Sequence, residues 1–388
     1  MNDEIKILKN VFLCVTSNIL TPVNIYFDKS IKRIERLSDI DVSWEEIDET
    51  HKREKIISNI ETKKFPSESK IYDGQFKLVI PGAIDPHVHF DTPGFEFRDT
   101  FEHGTTAAAY GGVTTVIDMP CTSLPPVTSV SNLVTKQEAI RNMALVDYAF
   151  WGGVCGNDFE NTQSLEKNIY ELNEAGVASY KAYLMSGMET FKDLTFNQMK
   201  WAAEKITETG KPLGVHAEDK NLIESRRSIF KSNNENNWEY YCKARDVFAE
   251  EAAVNDMVAI AAATGARVHI VHLSSKAGLE IIEKARRNGL AVSSETCPHY
   301  LHFTQNDFTK SEIRNFLKTA PPVKHSEDLN ALWEGLSDGS LLFVTTDHAG
   351  CDPKEEKISD NFWEVYGGIP GVEHRVPYIF SEGFHKGK

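Results

Sequence analysis

The sequence predicts an α/β chain: a (β/α)8 barrel preceded by a small β-sandwich-like domain. Three observations predict it. From about residue 78 onward, β-rich apolar runs alternate with helix-like stretches. The runs are near-continuously apolar, as parallel strands covered on both faces are. There are eight of them, spread over a length that accommodates the roughly 250 residues such a barrel needs.

In chain order the strand candidates are 77–90, 114–119, 146–153, 178–184, 212–218, 267–274, 291–298 and 341–349. Between them, 198–209, 247–263, 279–288 and 327–336 carry helical periodicity. Residues 1–76 read differently. Segments 4–15 and 23–27 are short β-like runs, whereas 38–70 is charged and polar with little periodicity. The expected division is a small β domain at 1–76, with a polar insertion at about 38–70, and the barrel at 77–388. The chain stops at Lys388, soon after the eighth strand, so the C-terminal part that would add a last helix and complete the small domain is expected to be missing.

Composition narrows the function. Charged residues are 26% and apolar residues 41% of the 388, the balance of a globular protein. A net charge of -15 argues against nucleic acid or an anionic membrane as the main partner. The N-terminus lacks an apolar signal core and no segment is long and apolar enough to span a bilayer, so a cytoplasmic location is expected. Six cysteines lie scattered without a Cys-x-x-Cys pair, which points away from a disulfide framework or a cysteine-rich zinc site.

The chemistry sits at strand ends. His87 and His89 are two apart on the first strand and so share a face. Lys181 is near the end of the fourth strand, His216 of the fifth, His272 of the sixth and Asp347 of the eighth. Barrel active sites lie at the C-terminal face, so these residues are expected to converge. Taken singly, each has a structural explanation: a hydrogen-bonded histidine, a snorkelling lysine, a helix-capping aspartate. Their joint placement on the right strands, at the same ends, favours a metal site.

In this order (Asp85-x-His87-x-His89, Lys181, His216, His272, Asp347) the chain resembles the cyclic amidohydrolases, which include allantoinase, hydantoinase, dihydropyrimidinase and dihydroorotase. Supporting blocks are 104–115, Glu295-Thr296-Cys297-Pro298-His299, Ala320-Pro321-Pro322 and 367–371. The resemblance implies two divalent metal ions per subunit, zinc by preference. His87, His89 and Asp347 would hold one, and His216 and His272 the other. Lys181 would bridge them after carboxylation of its side-chain nitrogen by CO2. Chemistry agrees with that modification, since an ammonium repels two dications and a carbamate supplies two oxygens and a charge. Asp347 is the implied catalytic proton carrier, and Tyr183 a candidate donor to the oxyanion. The implied partner is a small cyclic amide or ureide, and relatives suggest a homo-oligomer, tetramer or dimer.

Substrate preference follows from three positions. Dihydroorotases of this kind grip a carboxylate with an Arg and two Asn; here those positions read Asp91, Cys121 and Ala320. None replaces the cation, and Asp91 would repel the ligand. The loop Met119-Pro120-Cys121-Thr122 resembles that of the allantoinases, as do Cys297-Pro298-His299-Tyr300 and Cys351. Allantoin hydrolysis is therefore the expected activity, with hydantoinase or dihydropyrimidinase second and dihydroorotase last. Cys121, Tyr183, His299 and Ala320 are the candidate substrate residues. His348 is expected to be structural, and Glu218 either orients a ligand or forms a surface ion pair. The alternative from another class, an inactive scaffold relative, is disfavoured because all six ligand positions are present.

Overall fold

The computed structural model describes residues 5–16, 18–60, 65 and 70–388. The chain divides into two units, Met1–Gly82 and Ala83–Lys388.

In the first unit, strands Ile31–Arg36, Ile19–Phe27, Lys6–Thr16 and Lys70–Val79 form one sheet in that order, with Val42–Ser43 paired to Ile19–Phe27. The pairing of Lys6–Thr16 with Lys70–Val79 is parallel and the others are antiparallel. Among the described residues this is a single sheet, where a two-layer sandwich was expected. Two short helices, Trp44–Asp48 and Thr50–Ser58, fall within the stretch expected to be a polar insertion. Ser43 and Glu46 form a capping box that starts the first helix. Trp44, Ile47, Ile56 and Ile57 then pack on Phe12, Leu20, Val42, Ile60 and Phe76. These helices supply the apolar cover that a second sheet would otherwise provide.

The first barrel strand was expected to run unbroken over 77–90. It is two strands, Lys70–Val79 in the first unit and Ala83–His89 in the barrel. The break falls at Ile80-Pro81-Gly82, where Pro81 has no N–H to give a ladder.

The barrel strands are β1 (Ala83–His89), β2 (Val113–Asp118), β3 (Asp147–Phe150 and Gly152–Gly153), β4 (Tyr180–Tyr183), β5 (Leu213–His216), β6 (Val268–Ile270), β7 (Val292–Thr296) and β8 (Phe343–Val344 and His348–Ala349). Every pairing among them is parallel. The first piece of β3 pairs with β2 and its second with β4; likewise β8 pairs first with β7 and then with β1. The ring of eight staves therefore closes.

Helices wrap the staves with apolar stripes, as in Lys276–Arg287, which buries Leu279, Ile282 and Ala285. Closure between β8 and β1 is reinforced by side chains. Thr346 Oγ1 donates to Asp85 Oδ2 at 2.7 Å, and the Arg375 guanidinium donates to the carbonyls of Val344 and Ile84 at 2.6 and 2.8 Å. The end of β1 is held by Asp118, which accepts from the Phe90 N–H at 2.8 Å and pairs with buried Lys136. Helix Phe101–Tyr110 approaches Phe90 so closely that a Cβ on Gly104 would sit 2.4 Å from the ring.

Candidate metal centre

His87 and His89 project from one face of β1. Their Nε2 atoms lie 3.0 and 3.1 Å from Oδ1 of Asp347. One donor atom from each of the three falls within 4.8 Å of the other two. Asp347 sits between the two pieces of β8 with φ 48°, and His272, two residues past β6, has φ 41°. Non-glycine residues seldom adopt this left-handed region, and such strain concentrates at functional sites.

His216, the last residue of β5, places Nδ1 3.0 Å from Nε2 of His272. The His272 ring is 5.6 Å from that of His87, which joins the two groups. Lys181 on β4 is fully buried, and among the described residues its Nζ has no hydrogen-bond partner. Burial holds its amine below the usual lysine range. The His87–His89–Asp347 cluster fits a divalent metal ion, and the His216–His272 pair and the buried Lys181 amine are further polar groups of the same strand ends.

The outward nitrogens of three of these histidines, His87, His216 and His89, are also engaged. His87 Nδ1 lies 2.5 Å from Glu295 Oε1, and Glu295 Oε2 lies 3.2 Å from His269 Nε2. His216 Nε2 lies 2.8 Å from Glu218 Oε2, which also pairs with the Arg245 guanidinium. Burial opposes ionisation of Glu218, but Arg245 and His216 outweigh it and hold the carboxyl down to about 2. Glu218 is thus a buried orienting group and not a surface ion pair. His89 Nδ1 lies 3.5 Å from Cys121 Sγ, itself 3.1 Å from the Tyr183 hydroxyl. With one nitrogen held outside, each of these three rings is turned to aim the other at the centre.

The remaining candidates are dispersed. Tyr183 stacks on His216 with centroids 5.4 Å apart. His299 is buried with Nε2 unpartnered, and burial pushes its imidazole down to about 4, so it is neutral. Ala320 is half-buried and offers a methyl and backbone groups alone. Asp91 is buried with neither carboxylate oxygen partnered, and burial pushes it up to about 8. His348 is buried, with Nε2 3.0 Å from Asp99 and Nδ1 accepting from the backbone of Gly371 and Val372. It ties the 371–372 segment to β8. Glu295, His269 and Arg245 went unnoticed in the sequence. Glu295 lies inside a motif block, but nothing in the sequence pairs it with a residue 208 positions away.

A parallel barrel with clustered histidines and an aspartate at its strand ends fits a metal-dependent enzyme. Residues 78–364 match the amidohydrolase family, and the chain belongs to it. It is 34% identical over 328 residues to an allantoinase of Bacillus licheniformis, covering 82% of this chain and 70% of that protein. An allantoinase of Arabidopsis thaliana is also 34% identical, over 327 residues, with 82% of this chain and 63% of that protein covered. Among solved structures, an L-hydantoinase (dihydropyrimidinase) from Arthrobacter aurescens superposes with a TM-score of 0.83 at 26% identity, over 99% of this chain and 78% of that one. The family and the His–His–Asp cluster fit an enzyme dependent on divalent metal. Among the described residues no helix is long and apolar enough to cross a membrane.

Proposed function

We propose that this chain hydrolyses the ring amide of allantoin, opening it to allantoate. The observation that carries the reading is 34% identity to allantoinases over four-fifths of the chain, combined with buried donor sets at five strand ends. His87, His89 and Asp347 would hold one divalent ion, and His216 and His272 another, zinc by preference. Lys181 would bridge them as a carbamate. Its neutral amine adds to CO2, a C–N bond forms, and a proton leaves.

Paired ions of this kind acidify water and polarise an amide carbonyl. Asp347 accepts the proton of the attacking water and returns it to the ring nitrogen as the C–N bond breaks. Water's oxygen remains on the carbonyl carbon, so the products are a carboxylate and an opened ureide. The Tyr183 hydroxyl, 3.1 Å from Cys121 Sγ, would donate to the oxyanion.

A second reading, ring opening of hydantoin or dihydrouracil, is favoured by the fold similarity to L-hydantoinase. The test is a ring-opening assay of the metal-loaded protein on allantoin, hydantoin, dihydrouracil and dihydroorotate. Allantoin is expected to be turned over fastest, and a preference for dihydroorotate would overturn the proposal. Asp347→Asn is expected to lower kcat by about 10²–10⁴, the usual contribution of a positioned acid–base group. An unchanged kcat would remove Asp347 from the proton path.

A further inference from the structure

The end of the barrel where most strands start holds a cavity of about 590 Å³, lined by Trp151, Arg267, His269, Ser293 and Phe343 and reaching inward to Glu295. His269 on β6 is 6% exposed and stacks on Phe343, with centroids 5.5 Å apart. Both its nitrogens are engaged, Nδ1 with Ser293 Oγ at 2.9 Å and Nε2 with Glu295 Oε2 at 3.2 Å. The other oxygen of Glu295 meets His87 Nδ1. A chain of direct contacts therefore runs from the cavity wall to the candidate metal ligand.

The proton pattern along it is self-consistent when assigned from the contacts. Ser293 O–H donates to His269 Nδ1, His269 Nε2–H donates to Glu295, and His87 Nδ1–H donates to Glu295. His87 then presents the lone pair of Nε2 toward Asp347 and the centre. Charge gives a second argument. Glu218, the other buried carboxylate beside a ligand histidine, is neutralised by Arg245. Among the described residues the ion-pair contacts of Glu295 are to His87 and His269, with no lysine or arginine. Two dications held with a Lys181 carbamate, Asp347 and one hydroxide would retain one positive charge, which the carboxylate of Glu295 would match.

We propose that Glu295 is a positioning residue that sets the tautomer and direction of His87, and that His269 holds Glu295 in place from the far end of the barrel. The metal centre is thereby anchored through the barrel interior. This rests on the metal-centre reading above and adds two residues to it.

The test is chelator competition for Zn2+ or Co2+ on metal-free protein reloaded with the ion. Glu295→Gln keeps the size and removes the charge, and it is expected to weaken the affinity for at least one ion by about 10–100-fold, the range for lost outer partners of ligand histidines. His269→Ala is expected to weaken it less. Because His269 borders an open cavity, added imidazole should restore affinity to His269→Ala, with no gain in Glu295→Gln or in the native protein under the same imidazole. A merely structural role would lower the unfolding temperature of the metal-free variants and would not be rescued. Native-like affinity in Glu295→Gln overturns the proposal, as does failure of imidazole to restore His269→Ala. Absence of metal binding by the native protein overturns the metal-centre reading itself, and this proposal with it.

Discussion

Glu218 illustrates how a single side chain at this site is held. It is fully buried, it orients His216, and its charge is met by Arg245. Removing one partner of a buried ion pair strands the other, which costs roughly 3–5 kcal/mol. Arg245→Met is therefore expected to lower unfolding free energy by about that amount in urea titrations. The double variant with Glu218→Gln should recover most of it, because no charge is then left unpaired. If Arg245→Met unfolds like the native protein, the pair is not a structural support. At this scale the sequence was legible where ligands lie on one strand. Period-two spacing alone aligned His87 with His89. The sequence left Glu218 between orienting a ligand and a surface ion pair, and Glu295 was illegible in its role, because each acts on a histidine through side-chain geometry and nothing in the spacing of Glu295 points to His87.

Among the elements, the strand positions were read closely and their ends less so. β3 and β8 were each read as one run, at 146–153 and 341–349, and each is two short pieces that pair with different neighbours. That interruption permits closure of the ring and places Asp347 between the pieces of β8. The helices within 38–70 escaped notice because they are short and their apolar residues too few to show a period. Another element-level feature is the 362–368 segment, pinned by two buried lysines. Lys318 Nζ donates to the carbonyls of Phe362, Trp363 and Val365, and Lys357 Nζ to those of Tyr366 and Gly368. Burial, with help from neighbouring cations for Lys318, pushes Lys318 down to about 7 and Lys357 down to about 8. The unfolded chain keeps these protons up to the ordinary lysine value of 10.5. Between those values the unfolded state binds more protons, so the two lysines make stability rise with pH, beginning near neutrality. Urea midpoints at pH 7 and pH 9 are expected to show the rise, with a shallower one in Lys318→Met. An identical slope in that variant would remove Lys318 as a source.

For the molecule as a whole, an ion held by His87, His89 and Asp347 would tie the first barrel strand to the last. A ligand that binds only the folded state stabilises it by about 2.7 kcal/mol at a hundredfold excess over Kd. Chelation is accordingly expected to lower the unfolding temperature, with recovery on adding Zn2+. Equal melting curves for stripped and reloaded protein would show that the ions contribute nothing to folding. The first unit behaves by different rules, since its sheet and helices are held by their own small cores.

The sequence by itself determined the barrel and the amidohydrolase resemblance, because strand periodicity and strand-end placement are local properties written in consecutive residues. It also determined that a carboxylate clamp is lacking at Asp91, Cys121 and Ala320. Tertiary structure alone decided that a single sheet with helical cover forms the first unit, that Asp91 is buried without a partner, and that Glu295 and Glu218 stand behind His87 and His216. The physical reason is that burial and hydrogen-bond partnership are set by residues far apart in the chain. Glu295 reaches His87 across 208 positions, and the closed ring of staves is what brings them within 2.5 Å.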